Sequence, residues 1–444
     1  MRLKKFLSGA LAVAMVASLV GCGGGDTSTS TTPAPAPAPA TPSADGSDAS
    51  ATPAATGETK DVTLTVWGPQ EDQAPVEGYA DGILKAMCDQ FNADHPEWNI
   101  TFNYGVCSEG EAKDIVTKDV ATAADVYMFA NDQIPVLVSA GALAEFGGSA
   151  VDTLKAEQSE TMVNSVTYEG GIYGIPFTSN TWFMYYDKSK FDENDVKSLD
   201  TMMAKDLGDG VTNFAFALDN SWYIAAYYYG AGCTLFGDGT QADAGCTFDD
   251  ANGVAVTKYL AALAANPKFS NEKDGSSIAK FKDGKLGAYC SGSWDAAAIQ
   301  EALGDNFAAT QIPTININGT DGQMKSFAGS KAIGVNPQCA NPDVAVALAS
   351  YLGSQACQQI RFDARGIIPT NNAVAATDAV KNDPVATAQA NEISNASVVQ
   401  PMLSAMDSYW TPAATMGQEL VQGDVTEANA EEKTQAMVKG ILGQ

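Results

Sequence analysis

The segment from Tyr168 to Phe191, YEGGIYGIPFTSNTWFMYYDKSKF, constrains the fold more than any other stretch of the chain. Its glycine pair at 170–171 suits a tight turn, and the Ile, Phe and Tyr residues on both sides favour extended backbone. Four consecutive polar residues, Thr178 to Thr181, interrupt this apolar sequence. A buried strand would leave such side chains without water. The segment therefore predicts two strands joined by a polar crossing between two bodies, where the chain meets solvent or ligand.

Length and charge narrow the possible classes of protein. A chain of 444 residues exceeds what one core usually supports, which predicts two lobes. The net charge is −28, and it falls to −31 without residues 1–21, which hold three basic residues and no acidic one. Such acidity argues against nucleic acid or anionic lipid as a partner. The single histidine, His95, argues against histidine-dependent catalysis and multi-histidine metal sites. We therefore predict no cofactor and no metal.

The N-terminal residues predict export and a lipid anchor. Residues 1–21 carry three early basic residues and then an apolar stretch too short for a comfortable membrane span, as in a signal peptide. Leu19-Val20-Gly21-Cys22 resembles the bacterial lipobox, which implies lipidation of Cys22 and attachment to the outer face of the cell membrane. Residues 23–60 contain no large apolar side chain and no cysteine, so residues 22–60 predict a lipidated cysteine followed by a disordered Ala/Pro/Ser/Thr linker.

Apolar periodicity after the linker predicts a strand–helix–strand–helix–strand order. Strands are predicted at 62–66, 98–104 and 125–130, and helices at 83–91 and 109–123. This order is typical of a parallel sheet with right-handed crossovers. Because ligands of such sheets collect at the carboxyl ends of the strands, the loops at 68–72, 104–109 and 131–133 are candidates for a site.

Three motifs together resemble those of a known family. The pattern G-x-x-Y-G-x-P-F begins at Gly170 and is followed by Y-Y-D-K ending at Lys188; FKDGKLGAYCSGSW spans 281–294, and FDARGIIPT spans 362–370. All three are similar to motifs of extracellular solute-binding proteins of the maltose and maltodextrin-binding family, over nearly all of residues 61–444. The resemblance implies an α/β fold, two-lobed and periplasmic-binding-protein-like, in which each lobe is a mainly parallel sheet flanked by helices. Hinge crossovers are expected near 178, 329 and 376. The expected N-terminal lobe is 61–177 with 330–376, and the C-terminal lobe is 178–329 with 377–444.

The same resemblance implies a function. It implies a non-enzymatic, monomeric cell-surface lipoprotein that binds an oligosaccharide, foremost maltose or a maltodextrin, in the cleft between the lobes. The protein would deliver this sugar to the transmembrane permease of an ATP-binding cassette importer. A sugar site combines aromatic platforms for the C–H faces with carboxylates and amides for the hydroxyl groups.

Candidate ligand-binding residues follow from the family's positions. Among the aromatic candidates, Trp294 and Trp410 match stacking tryptophans of the family, and Trp222 or Tyr223 matches a stacking tyrosine. The acidic candidates are Asp132, Asp219, Glu71 and Asp72. Two candidates depart from the family pattern, since Gln133 replaces a basic residue and Asn180 replaces an acidic one. Each has a structural alternative. The tryptophans can pack in a core, and Asp132 can cap a helix. The Asn180 side chain can hydrogen-bond to backbone groups of the hinge, and Glu71 with Asp72 can form a solvated loop.

Other interpretations remain open. The ligand can be a different oligosaccharide, a peptide or a polyamine, and the protein can be a sensory or adhesive lipoprotein. A surface glycoside hydrolase would need two carboxylates across a scissile bond, whereas the acidic candidates are spread over separate loops. Seven cysteines remain beyond Cys22, none in C-x-x-C spacing, so at least one is free and a metal or redox role is not expected. Two disulfides are possible, Cys233–Cys246 and Cys88–Cys107.

Overall fold

The computed structural model of the protein describes residues 59–444. The predicted signal peptide, the predicted lipidation site at Cys22 and the predicted linker up to residue 58 lie outside the described residues.

Strands and helices alternate along the described chain. The strands are β1 Lys60–Gly68, β2 Trp98–Val106, β3 Val126–Ala130, β4 Thr167–Tyr168, β5 Gly171–Ile172, β6 Ile175–Asn180, β7 Phe183–Asp187, β8 Thr212–Phe216, β9 Phe269–Asn271, β10 Leu286–Ser291, β11 Phe307–Thr310, β12 Thr314–Ile317, β13 Thr320–Gln323, β14 Ser326–Val335 and β15 Ser397–Val399. The helices are α1 Gln70–Gln73, α2 Ile83–Asp94, α3 Ala112–Val116, α4 Ile134–Ser139, α5 Gly148–Glu157, α6 Glu160–Asn164, α7 Leu199–Ala204, α8 Ser221–Gly230, α9 Ala251–Ala264, α10 Ser276–Lys282, α11 Ala296–Leu303, α12 Pro342–Leu352, α13 Gln355–Arg365, α14 Asn372–Ala375, α15 Asp378–Lys381, α16 Pro384–Asn395, α17 Asp407–Gln422 and α18 Ala430–Ile441. Short 3-10 helices include Glu109–Glu111, Asn131–Gln133 and Ser293–Asp295.

The first sheet organises the N-terminal part of the chain. Its strand order is β15-β14-β3-β1-β2, with β6 paired to β14. β1 is parallel to β2 and β3, whereas β14 is antiparallel to β3 and β6. Val62, Leu64 and Val66 are buried because alternate side chains of a strand point to the same face. They share one core with Met87 and Phe91 of α2, as the predicted strand and helix require.

The second sheet is covered on both faces. Its order is β11-β7-β10-β8-β9, and β7 is antiparallel to both of its neighbours. Met184 and Tyr186 belong to the core on one face, and Phe183 and Tyr185 to the core on the other. A strand buried on both faces reads as a continuous apolar run, which explains the FMYY sequence of β7.

Three segments of the chain lie side by side between the two sheets. Thr178 of β6 lies opposite Lys331 of β14 and also forms a bridge with Pro369. The Thr178 hydroxyl donates to the Ile368 carbonyl oxygen at 2.7 Å, and the Thr181 hydroxyl donates to the Phe327 carbonyl oxygen at 3.0 Å. The two threonine hydroxyl groups of the polar stretch are thus satisfied by the neighbouring crossing segments, while Ser179 and Asn180 stay partly exposed.

The predicted α/β, two-lobed arrangement is confirmed, with each sheet flanked by helices. The prediction of two strands joined by a polar crossing is also confirmed, because β6 and β7 pair in different sheets. The predicted helix at 109–123 is wrong beyond Val116. Few side chains between 117 and 123 are buried, and Asp119 Oδ1 accepts from the backbone N–H of Ala121 in a turn. An isolated helix without an apolar face to bury is not stable.

Both possible disulfides are absent, because all seven cysteines at 59–444 are free and buried. Cys246 pairs opposite Leu235, and the Cys233 thiol instead donates to Asp250 Oδ1 at 3.6 Å. Burial raises the pKa of Cys233 and of Cys246 to about 12, so both are protonated and unreactive at neutral pH.

Candidate functional site

Two neighbouring cavities lie between the sheets, at the carboxyl ends of the first three strands. The larger, of about 380 Å³, is lined by Trp294 and is here named the Trp294 cavity. The smaller, of about 300 Å³, is lined by Trp410 and is named the Trp410 cavity. Adjacent chain positions line both, since Ser179 and Glu109 face the first cavity while Asn180 and Gly110 face the second. The two cavities therefore adjoin each other along these segments.

Half of the predicted residues line the Trp410 cavity, namely Asp132, Gln133, Asn180, Trp222 and Trp410. Asp132 lies in the 3-10 helix that follows β3, and Asn180 is the last residue of β6. Burial raises the pKa of the Asp132 carboxyl, and the nearby Lys113 ammonium opposes that rise. This carboxyl is therefore a strong hydrogen-bond partner held in a partly dry environment.

Gln133 has a supporting role in this structure. Its Oε1 accepts from the backbone N–H of Lys113 at 2.7 Å, and its Nε2 donates to the carbonyl oxygens of Glu109 and Gly110, each at 2.8 Å. The side chain is 2% exposed. Because its side-chain amide is hydrogen-bonded to backbone groups of residues 109–113, Gln133 fixes the loop after β2 against the end of β3.

The tryptophans of the second lobe form one aromatic wall. Trp222 is the second residue of α8, and its ring centroid lies 6.1 Å from that of Trp294, with the planes inclined by 35°. Trp294 is 49% exposed, and its orientation follows from Gly292, where a Cβ would lie 2.0 Å from the indole Cζ3. Trp410 packs edge-on against Phe327 with centroids 6.3 Å apart. Together they offer ring faces along the cleft.

Gln400 completes the Trp410 cavity. Its Oε1 accepts from Trp222 Nε1 at 3.1 Å. Its Nε2 is a buried donor that makes no hydrogen bond of normal geometry with the described residues, although the Gln400 side chain lies close enough to Asp132 to oppose the rise in the pKa of that carboxyl. Buried amide donors are nearly always paired. The cavity therefore presents a donor from Gln400 and an acceptor from Asp132 beside two indole rings.

Two further predicted residues, Glu71 and Asp72 of α1, line the Trp294 cavity. Asp72 is fully buried, and its Oδ2 accepts from Arg361 Nε at 3.2 Å. Burial raises the pKa of Asp72, although the Arg361 guanidinium opposes the rise. Its other oxygen, Oδ1, is buried without a hydrogen-bond partner in the described chain. Glu71 is exposed at the mouth of the same cavity.

Two predicted residues lie outside both cavities. Tyr223 is 8% exposed and belongs to the core of the second lobe, with its ring centroid 4.8 Å from that of Trp182. Asp219 lies in the turn after β8, where Gly417 of α17 approaches its backbone so closely that a Cβ would lie 2.9 Å from Asp219 Cα. Of the predicted Trp222 and Tyr223, the structure thus directs Trp222 to the cleft.

Comparison with known proteins defines the family. A family model described as "Bacterial extracellular solute-binding protein" matches residues 86–388, about two thirds of the chain. The chain belongs to this family.

Relatives cover almost the whole solute-binding protein. The "Maltooligosaccharide ABC transporter solute-binding lipoprotein" of Streptococcus pneumoniae serotype 4 is 25% identical over 413 residues, which are 90% of this chain and 93% of the relative. A structure solved "with acarbose" is 46% identical, with a TM-score of 0.80 over 86% of this chain and 98% of its own. The "Maltodextrin binding protein MalE1 from L. casei BL23 without ligand" is 27% identical, with a TM-score of 0.76 and the same shares of the two chains.

Several cleft residues of this solute-binding protein were missed from the sequence. Lys113 and Gln400 line the Trp410 cavity, and Lys331 and Asp383 line the Trp294 cavity. Glu109 also lines the Trp294 cavity, and it ends the loop 104–109 that was predicted as a candidate. Only Lys331 gave a usable signal, as a lone charge within the apolar strand sequence SFAGSKAIGV. Gln400 follows an edge strand, and no local pattern distinguishes it from a loop residue.

Two further findings concern residues 59–444 of the solute-binding protein. No helix there is long and apolar enough to cross a membrane. No group of three or more His, Cys, Asp or Glu side chains in that range is placed to hold a metal ion.

Proposed function

We propose that this protein is a carbohydrate receptor that binds a maltodextrin, an α-linked glucose oligomer, in the cleft between its two lobes. The observation that carries the proposal is the Trp410 cavity, which Trp222 and Trp410 line together with the carboxyl of Asp132 and the amide of Gln400. Aromatic faces accept the C–H surface of a sugar, and the carboxylate and amide bond its hydroxyl groups. The names of the relatives support α-glucans as the sugar class.

The same reasoning favours binding over catalysis. Glycoside hydrolysis needs an acid and a nucleophile or base on opposite sides of one bond. The most buried cleft carboxylate, Asp72, is paired with Arg361, and Glu109 is paired with Lys331. Both carboxyl groups are thus held by cations and are not placed as a free pair across one bond. We therefore infer a non-enzymatic protein, and no cofactor enters the proposal.

The cellular role in the proposal follows from the family and from the N-terminal sequence. A monomeric receptor, lipidated at Cys22 and held on the extracytoplasmic face of the membrane, passes its sugar to the permease of an ATP-binding cassette importer. Support comes from the S. pneumoniae relative, named as such a lipoprotein, and from the lipobox-like Leu19–Cys22. Replacing Cys22 with alanine is expected to move the protein from the membrane fraction to the medium. Retention in the membrane fraction would contradict the anchor.

Calorimetric titration of the full chain tests the ligand. The panel is maltose, maltotriose, maltotetraose, a β-linked xylo-oligosaccharide and a short peptide. We expect heat with the α-glucans and a dependence on chain length. Heat with the β-linked sugar alone would keep the receptor and change its substrate, and heat with the peptide alone would contradict the carbohydrate assignment.

A further inference from the structure

The carboxyl group of Glu392 lies beside two of the crossing segments. Glu392 is a fully buried residue of α16, a helix that packs on the second sheet. Its Oε2 accepts from the backbone N–H of Ile312 at 2.8 Å, and its Oε1 lies 2.5 Å from Ser326 Oγ. Ser326 is the first residue of β14, which pairs with β3 and β6 of the first sheet. One carboxyl of the second lobe therefore holds the start of a crossing segment.

The same contact extends to a second crossing segment. Thr181 lies in the link between β6 and β7. Its hydroxyl oxygen is 3.0 Å from Ser326 Oγ and 3.0 Å from the Phe327 carbonyl oxygen, and all of these side chains are buried. The Glu392 carboxyl, the Ser326 hydroxyl, the Thr181 hydroxyl and the Phe327 carbonyl thus form a buried chain of three consecutive hydrogen-bond contacts.

Three contacts need three protons, and the hydroxyl groups supply two. A carbonyl oxygen only accepts, whereas a serine or threonine hydroxyl donates once. If Glu392 is ionised, one of the three contacts has no proton between its oxygens. If Glu392 is protonated, it donates to Ser326, Ser326 donates to Thr181, and Thr181 donates to Phe327. The geometry therefore indicates a neutral carboxylic acid at position 392.

The surroundings give a carboxylate at position 392 no compensating cation. The titratable side chains on the elements around it are Tyr185, Tyr186 and Asp187 of β7, Tyr289 and Cys290 of β10, Lys331 of β14 with Lys325 before it, Asp378 and Lys381 of α15, and Asp383 at the N-cap of α16, whereas β11 and β15 carry none. No charge on these residues contributes to the pKa of Glu392. Burial raises that pKa to about 8, although the hydrogen bonds from Ser326 and Ile312 oppose the rise. Burial and the nearby Glu392 raise the pKa of Cys290 well above its usual value, so Cys290 stays a neutral thiol.

We propose that Glu392 is a proton-sensitive latch between two crossing segments. In the protonated form all three contacts are made, so Thr181 and Ser326 are tied to each other and to the second lobe. Loss of the proton turns the Ser326 hydroxyl toward the carboxylate, and the contact between Ser326 and Thr181 is lost. Alkaline conditions should therefore loosen the crossing segments. Neither the latch nor its test requires a sugar, so both are independent of the proposed function.

Infrared spectroscopy of the full chain measures the proton directly. The difference spectrum between wild type and Glu392→Gln should contain the carbonyl stretch of a protonated carboxyl at neutral pH. This band should disappear as the pH rises through about 8.

Thr181→Val separates the latch from burial alone. Without the Thr181 hydroxyl, ionisation of Glu392 no longer costs a contact. The band, measured against Thr181→Val/Glu392→Gln, should therefore titrate about one pH unit lower, since one net hydrogen bond corresponds to about a tenfold change in an equilibrium. Burial alone predicts the opposite, because a methyl group in place of a hydroxyl makes the surroundings less polar and keeps or raises the midpoint.

Hydrogen exchange measures the crossing segments themselves. A glutamine at position 392 can donate to Ser326 and accept from Ile312 at every pH, so Glu392→Gln is the matched control. Peptides covering 178–183 and 324–330 should exchange equally in the two proteins well below the midpoint. Well above it they should exchange up to about tenfold faster in wild type.

Each measurement can overturn the latch. Absence of the carboxyl band at neutral pH would do so, as would a midpoint in Thr181→Val that is unchanged or higher. Equal exchange of wild type and Glu392→Gln above the midpoint would also exclude it. If Thr181→Val fails to fold, the exchange comparison between wild type and Glu392→Gln decides alone.

Discussion

Replacing Trp294 with alanine should weaken sugar binding strongly and stability only slightly. A tryptophan side chain can bury roughly 150–250 Å², and 49% of Trp294 is exposed to the cleft. A stacked sugar can therefore cover about 100 Å² of it, worth about 2.5 kcal/mol at roughly 25 cal/mol per Å². That corresponds to a Kd raised about 70-fold. The residue lies outside the cores of both lobes, so its loss leaves few packing contacts unfilled.

Isothermal titration with maltotetraose measures this loss, and thermal unfolding checks the fold. Trp98→Ala is the matched control, because Trp98 is a partly exposed tryptophan of β2 that stacks on His95 with ring centroids 4.8 Å apart and lines neither cavity. Its binding should equal that of wild type. Unchanged affinity in Trp294→Ala, or an equal loss in Trp98→Ala, would refute the stacking role.

Three other changes test the contacts described above. Gly292→Ala should weaken binding nearly as much as Trp294→Ala, because its Cβ would occupy the space of the indole ring; titration checks this, and unchanged affinity would contradict it. Arg361→Met should destabilise the fold by about 3–5 kcal/mol, since it leaves the fully buried Asp72 carboxylate unpaired, as chemical denaturation would measure. Burial raises the pKa of Glu392 from 4.5 to about 8. The folded protein then keeps a proton that the unfolded chain has released, so stability should fall as pH rises from about 4.5 to 8. Glu392→Gln should flatten this decline in Tm, and an unaltered decline would exclude Glu392 as its source.

The sequence predicted those parts of the fold that periodicity determines. Val62, Leu64 and Val66 alternate, and one face of β1 is buried as a result. The prediction failed for the helix expected up to Ala123, because residues 117–123 place only Val120 and Ala123, both partly buried, against the core. Disulfide pairing could not be predicted either, because the spacing of Cys233 and Cys246 does not determine the direction in which each thiol points.

The candidate site was predictable where a loop follows a strand of the first sheet, as for Asp132 after β3. Neighbouring residues on a helix could not be resolved in the same way. Trp222 and Tyr223 are consecutive in α8, so they point about 100° apart and only one can face the cleft. The choice depends on how α8 sits against the second sheet, where Tyr223 contacts Trp182. That orientation is a property of the whole lobe.

The proposed ligand contacts lie on the crossing segments of this protein, which links the proposed binding to the relation between the lobes. Asn180 of β6 and Lys331 of β14 line the cleft and also belong to the strands that connect the sheets. Asn131 fixes β14 to the first lobe, since its Oδ1 accepts from the Ser330 backbone N–H at 2.9 Å. A sugar that contacts Asp132 on one lobe and Trp410 on the other gains its full binding energy only when both are within reach. Such a ligand binds more tightly to the lobe arrangement that brings Asp132 and Trp410 together. The ratio of its affinities for the two arrangements sets how far it shifts the equilibrium between them.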